Sequence, residues 1–292
     1  MSELLQSVYS GLLHGSVYGL MALGLTVIWG AMRLLNLAHG SLYLVGGYVG
    51  WTVVNKLSMP IGVAVPIGVA GAAIAGLLMY GLFIRPLVGR PGWDSATLIT
   101  TVGFGIAIEA GVLLLYGPQV KAIPGLFSGS FVYERVLITY QGLLVMAVAA
   151  VCLLSVSTYI RVSRRGMAIR AVSQDVDAAK LMGIPIDTTF AIVMALSAGL
   201  AGLAGVLLSS TFYLSPTSGF QPMILAIVVT ILGGLGSIKG TIVAAYSIGL
   251  LESFVNVYVG PSWGLPVLFG TMIVVLTLRP NGLFGVGEAR RL

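Results

Sequence analysis

Charged residues are scarce in this chain: they fill 8% of its 292 positions, while 58% are hydrophobic. A soluble domain carries about 25% charged residues, so a water-surrounded globular fold is excluded. Cysteine is nearly absent. The single Cys152 lies inside an apolar run, which rules out a disulfide framework or a cysteine metal pair. The only histidines, His14 and His39, form no metal set with a cysteine or aspartate, so no metal ligands are expected. No Ser-His-Asp, Cys-His or paired-carboxylate constellation appears, so no catalytic residue is assigned and the chain does not read as an enzyme. The glycine-rich "ILGGLGSIKGT" (231–241) lacks the G-K-[ST] ending of a phosphate loop, and no nucleotide or other cofactor is expected on this chain. The N-terminus has no basic n-region and no A-x-A-like cleavage site before residue 30, so the first apolar run is expected to stay as a helix. The net charge of +6 is not gathered into a nucleic-acid-binding stripe. The basic residues stand at the ends of apolar runs, where they bias orientation in a lipid bilayer.

What remains is apolar and continuous. The expected class is an all-α polytopic integral membrane protein, because in lipid the backbone must satisfy its own hydrogen bonds within each segment. Strand alternation of the barrel type is missing. At roughly 20 residues per span, the apolar complement suffices for about eight. Apolar runs fall at 8–29, 40–56, 62–84, 96–116, 138–160, 188–212, 222–238, 241–259 and 264–278, within one transmembrane domain covering 1–292. The long connections are 117–137 and 161–187. Placing 161–187 in the cytoplasm puts Arg161, Arg164, Arg165, Arg170, Lys180, Arg85, Arg90, Lys239, Arg279, Arg290 and Arg291 inside. Lys56, Lys121 and Arg135 then lie outside, and Arg33 is undecided. The span count is eight or nine. If 40–56 crosses, there are nine and the N-terminus is outside; if it dips in and returns, there are eight.

Polar groups interrupt the apolar runs at a few places. Charge at the bilayer centre costs about 2.5–3.5 kcal/mol on insertion scales, so such groups face interiors or cavities. Asn36, His39 and Ser41 in "RLLNLAHGSLYLVGGY" (33–48), together with Glu109 and Glu252, are candidate contacts along a substrate path. The alternative for the two glutamates is interhelical hydrogen bonding, each being protonated or paired with Arg33 or a hydroxyl. Gly40 marks one broken or re-entrant segment, and Gly233, Gly234, Gly236 and Gly240 mark a second break or a tight turn. Paired Gly-interrupted regions, one in each half, are where discontinuous helices bind substrate in transporters. The small-residue stripes Gly11/Gly15/Gly19, Gly46/Gly50, Ala198/Gly202 and Ala201/Gly205 suit close helix packing.

The stretch "RRGMAIRAVSQDVDAAKLMGIPID" (164–187) sets Met167, Ile169, Val172, Ala178 and Ala179 beside Leu181 and Met182, with basic residues among them. Short amphipathic helices at the membrane surface are expected, stopped by Gly183 and Pro185. Its Asp177-Ala178-Ala179-x-x-x-Gly183 is similar to the Glu-Ala-Ala-x-x-x-Gly coupling loop of ABC importer permeases, with aspartate for glutamate. Together with "NLAHGSLYLVGGYV", "ILGGLGSIKGTIVAAYSIGLLE" and "LRPNGLFG", the chain from about residue 5 to 286 resembles the branched-chain amino acid ABC transporter permeases. The shape resembles the shorter of the two permease subunits of the Liv system.

That resemblance implies an ABC importer permease that carries leucine, isoleucine or valine across the inner membrane. It implies a heterodimer with a second related permease and a periplasmic substrate-binding protein. It also implies two cytoplasmic ATPase subunits, which bind the ATP and dock on Arg164, Arg165, Gly166, Arg170, Asp177, Ala178, Ala179 and Gly183. The loop and the C-terminus would be cytoplasmic. Urea, short amides and other amino acids are alternative substrates within the family. An ion-coupled secondary transporter with Glu109 and Glu252 as relay groups is the rival from outside it.

Overall fold

The computed structural model describes residues 2–125, 127, 129–133 and 136–285. Helix α1 (Ser2–Met32) is followed by a non-helical stretch and then by α2 (His39–Asn55), α3 (Ile61–Met79) and α4 (Trp93–Tyr116). Helix α3 ends in a π-helical turn, Tyr80–Ile84. A two-stranded antiparallel hairpin, β1 (Ser130–Tyr133) and β2 (Val136–Thr139), leads into α5 (Tyr140–Val162). Two short helices follow, α6 (Arg164–Gln174) and α7 (Val176–Leu181). The second half comprises α8 (Ile186–Ser209), α9 (Phe220–Gly233), α10 (Ile238–Tyr258) and α11 (Gly264–Leu278). Among the described residues the hairpin is the departure from all-α that forms strands; it begins within the long connection expected at 117–137 and ends at Thr139, just inside the run expected at 138–160. Arg135, Arg290 and Arg291 lie outside the described residues.

Contacts between helix ends sort the chain into two faces. At the hairpin face, the Leu137 amide donates to Gln6 Oε1 at 3.0 Å, and Tyr9 Oη meets Thr139 Oγ1 at 2.9 Å. Lys56 stands over the Tyr116 ring, and Gln141 Nε2 donates to Ser210 Oγ at 2.7 Å. At the opposite face, Arg85 pairs with Asp187 at 3.1 Å. Gly30 of α1 faces Gly236, and the Leu283 amide donates to Leu232 O at 2.8 Å. Among the described residues the chain therefore passes between the faces nine times: seven helices long and apolar enough to cross a membrane, plus the shorter α2 and α9. This order corresponds to the nine-pass alternative. The chain starts at the hairpin face, opposite α6 and α7.

Helices α2 and α9 are short for a reason visible in the chain. At 17 and 14 residues they rise about 25 and 21 Å, against a hydrocarbon core of about 30 Å. Non-helical residues 33–38 and 210–219 supply the rest of each pass. The second break thus lies at 210–219, while 231–241 takes the other expected form, a tight turn. There Gly234 and Gly236, with φ of +98° and +83°, form the tight turn between α9 and α10. Its glycines allow the close approach of Gly233 to Gly240.

The order of long helix, break, short helix, long helix and peripheral helix occurs twice, in α1–α4 and in α8–α11, and runs in opposite directions. Helix α1 packs chiefly on α10 and α8 chiefly on α3, as an inverted repeat requires. The central pair is α1 and α8, with 89% and 72% of their apolar windows buried; α4 and α11, at 17% and 11%, face outward. Small residues set the spacing. A Cβ on Gly11 or Gly15 would meet the α10 backbone at 2.8–3.0 Å, and one on Gly46 would overlap Gly202. Lipid gives no hydrophobic drive between helices, so this close van der Waals contact is the principal adhesive.

Gly46→Val is expected to destabilise the bundle by about 1–3 kcal/mol or more through overpacking. Gly103→Ala, whose Cβ meets nothing within 4 Å, should stay within about 0.5 kcal/mol of wild type. Thermal unfolding of the purified protein in nanodiscs compares the two, and equal midpoints would refute the packing account.

Candidate functional site

Both half-length helices begin inside the bundle, and their N-terminal ends meet. Gly40 and Gly219 touch backbone to backbone: a Cβ on either would overlap the other's carbonyl. Non-helical backbone at membrane depth must be satisfied by protein. In the first break, Asn36 Oδ1 accepts the Ala38 amide at 3.0 Å, and Leu37 donates to Thr101 Oγ1 of α4 at 3.3 Å. In the second, Leu214 exchanges backbone hydrogen bonds with Lys121 at 2.7 Å, and the Ser215 amide donates to Ser218 Oγ at 2.8 Å. The polar side chains of "NLAHGS" are accordingly buried. Asn36 and His39 are 0% exposed and Ser41 2%. His39 Nε2 bonds Met21 O at 3.0 Å, tying the start of α2 to the middle of α1. Ser41 Oγ donates to Ala38 O at 2.8 Å.

Beside this junction lies a cavity of about 530 Å³ that opens toward the hairpin face. Its apolar wall includes Val17, Leu208, Phe212 and Leu225; its polar wall includes His14, Tyr18, Ser218, Gln221, Glu252 and Asn256. Tyr18 Oη donates to Glu252 Oε2 at 2.7 Å. The His14 ring stacks near Tyr18 with centroids 5.9 Å apart, and its Nδ1 has no hydrogen-bond partner. Asn36, His39 and Ser41 are not among the lining side chains. They hold the break closed while Tyr43, a turn further along α2, reaches the cavity wall.

The other candidates separate. Glu109 lies half-buried on the peripheral α4 with no hydrogen bond or ion pair among the described residues, whereas Glu252, 7% exposed, faces the cavity from α10. The expected hydroxyl partner exists for Glu252 alone. Gly233, Gly234, Gly236 and Gly240 sit in the α9–α10 turn, away from the junction at Gly40. Among the described residues, no group of three or more His, Cys, Asp or Glu side chains converges as a metal site would. Sequence reasoning missed the break at 210–219. Its signal is present in "LSPTSGFQP" (214–222), where Pro216, Gly219 and Pro222 disfavour helix before and at the start of α9.

At the opposite face, α6 and α7 form a jointed element. Ser163 Oγ caps α6 by accepting the Gly166 amide at 2.8 Å. Asp175 Oδ1 caps α7 by accepting the Asp177 and Ala178 amides, both at 3.0 Å. Gly183, at φ +79°, ends the element before α8. The apolar face is narrower than expected. Ile169, Val172 and Ala179 are buried, but Met167, Leu181 and Met182 are 50%, 89% and 83% exposed. Arg170 is structural: its Nη1 donates to Ile160 O at 2.9 Å and Arg161 O at 2.6 Å, closing the C-terminal end of α5. Gly166 lies against the Tyr159 and Ile160 carbonyls, where a Cβ would come within 2.5 Å. Arg164, Arg165, Asp177 and Ala178 are exposed.

A polar-lined cavity leading to a junction of discontinuous helices is what a solute-conducting membrane protein needs, and the class defined here is a helical multi-pass membrane permease. Residues 7–276 match the family described as branched-chain amino acid transport system / permease component, and the chain belongs to that family. It is 31% identical over 302 residues to the high-affinity branched-chain amino acid transport system permease protein LivH of Escherichia coli K12, covering 99% of this chain and 97% of LivH. It is 25% identical to the permease protein LivM of the same organism, over 91% of this chain and 67% of LivM. The solved structure of PsaBC from Streptococcus pneumoniae in complex with Fab has a TM-score of 0.53 at 17% identity, covering 96% of this chain and 93% of that one, a likeness of fold.

Asn36→Ala is expected to leave the Ala38 amide buried without its acceptor and to lower stability by about 1–3 kcal/mol. An unfolding midpoint in nanodiscs equal to wild type would show that this bond does not hold the break.

Proposed function

We propose that this chain is a permease subunit of an ABC importer and carries leucine, isoleucine or valine across the inner membrane. Its family and its full-length likeness to LivH support the substrate class. Among the described residues, every basic side chain except Lys56 and Lys121 lies toward the α6–α7 face, which supports a cytoplasmic position for that face and for the end of α11. The N-terminus is then periplasmic. One permease of the pair is this chain; a related, LivM-like chain is the proposed second, making a heterodimer. Two ATPase subunits bind the ATP and dock on the cytoplasmic face. A periplasmic binding protein delivers substrate at the hairpin face.

The observation that carries the reading is the α6–α7 joint. It presents large apolar side chains, Leu181 and Met182, to the surroundings at the tip of a capped element whose base is bonded to the end of α5. An apolar tip on a rigid mount suits a groove in another protein. Closure of the ATPase pair would push α6–α7, and through them α5 and α8, which is central to the bundle. Arg164 and Arg165 flank the mount and would meet acidic groups of the ATPase.

Leu181→Asp or Arg165→Glu is expected to reduce ATP-driven leucine uptake in proteoliposomes at least tenfold, with membrane insertion intact. Gly183→Arg, at a positive-φ position, should do the same. Uptake at the wild-type rate in all three variants would refute docking at this element.

A further inference from the structure

The cavity at the hairpin face holds one carboxylate, Glu252, and no lysine or arginine among its lining residues. Glu252 is 7% exposed, and the Tyr18 hydroxyl occupies only its Oε2. Among the lining residues the only basic side chain is His14, so an entering ammonium meets no lysine or arginine competing for Glu252. Across from it stands an apolar surface of Val17, Leu208, Phe212 and Leu225. A volume of about 530 Å³ holds a small organic molecule but not a peptide of any length. His14, with an unpartnered Nδ1, and Asn256 add hydrogen-bonding atoms near the carboxylate.

We infer that this cavity is a transient binding site for the α-ammonium group of the amino acid, with Glu252 as counter-ion and the apolar wall receiving the side chain. The inference rests on the proposed amino acid importer and adds a recognition step inside the permease. The aliphatic tail lies on Val17, Leu208 and Leu225. Ser218 and Gln221, at the start of α9, are placed to bond the carboxylate. The site is shallow in energy by construction: one charge contact, with the second carboxylate oxygen bare when empty, releases its occupant readily. Recognition by charge and apolar bulk accepts any small neutral amino acid with an aliphatic side chain. It rejects a molecule that keeps the carboxylate but replaces the ammonium with a hydroxyl.

The test uses the complex purified with its partner subunits and reconstituted in nanodiscs without binding protein. Equilibrium binding of radiolabelled leucine is measured with two competitors: leucinol, which keeps the ammonium, and 2-hydroxy-4-methylpentanoate, which keeps the carboxylate. The expected result is saturable leucine binding that leucinol displaces and the hydroxy acid does not. Glu252→Gln keeps an acceptor for the Tyr18 hydroxyl and so preserves the α1–α10 link, but it should weaken leucine binding at least tenfold. Glu109→Gln, which removes a carboxylate on the peripheral α4 outside the cavity, should retain binding within threefold. Unchanged binding in Glu252→Gln, equal displacement by the hydroxy acid, a tenfold loss in Glu109→Gln, or no saturable binding by the wild type each overturns the site. ATP-driven leucine uptake by the same wild-type complex with its binding protein is scored separately. Uptake present while the cavity fails leaves the importer reading standing, and uptake absent removes both.

Discussion

Lipid offers no hydrogen bond to a backbone amide, and this single constraint organises the molecule. Two stretches of chain, 33–38 and 210–219, run at membrane depth without being helical. Each must be enclosed by protein and satisfied by it. Asn36, Thr101, Ser218 and the Lys121 backbone supply the partners. Enclosure requires that helices close in tightly, and the glycines at 40, 46, 202, 205 and 219 make that approach sterically possible. A cavity beside the junction is a consequence of stopping two helices short of full length, since the volume each would have occupied is filled only in part.

The α6–α7 element obeys a different economy. Outside the bundle, water or partner proteins can satisfy backbone groups, so these short helices rely on side-chain caps from Ser163 and Asp175. Isolated helices of this length are marginal in water. Their rigidity comes from caps, from Gly166 against the carbonyls of Tyr159 and Ile160, and from Arg170 closing the end of α5. Arg170 therefore differs in kind from Arg164 and Arg165, although all three look alike as basic residues in one loop. Force applied to the exposed tip at Leu181 and Met182 is carried into α5 through hydrogen bonds rather than through flexible chain.

Much of this arrangement was legible in the residues. All nine apolar runs became helices close to where continuous hydrophobicity placed them, because length and apolar composition are local properties. The surface helices after α5 were legible from the apolar spacing and from Gly183-Ile184-Pro185. The break at Asn36 was legible because an amide and an imidazole in lipid must have a reason. The break at 210–219 was not, since its serines, threonines and Pro216 read equally well as an exposed loop; Gly219 against Gly40, a contact across 179 positions, reveals its depth. Glu109 and Glu252 looked equivalent as lone carboxylates. Position on a peripheral or an inner helix distinguishes them, and that depends on packing between distant segments.

The inverted repeat gives the cavity a counterpart. Exchanging α1 for α8, α10 for α3 and the end of α8 for the end of α1 maps the hairpin-face cavity onto the opposite face. There a smaller cavity of about 320 Å³ is lined by Ala31 and Arg33 of the α1 end, Val88 and Gly89 beyond α3, and Phe190 of α8. A further cavity of about 470 Å³ lies on that same face between α1, α5, α6 and the start of α10, so both sides of the bundle hold cavity space. The smaller one is also lined by Ser173, Gln174, Asp175 and Val176, the joint between α6 and α7. The element proposed to receive the ATPase stroke is therefore itself a wall of the space that must enlarge for release on that side. A displacement of the Asp175 joint that widens the smaller cavity would move α8 and α1 together. Those are the helices whose side chains close around the Gly40–Gly219 contact and the Tyr18–Glu252 pair, so opening one face would be coupled mechanically to closing the other.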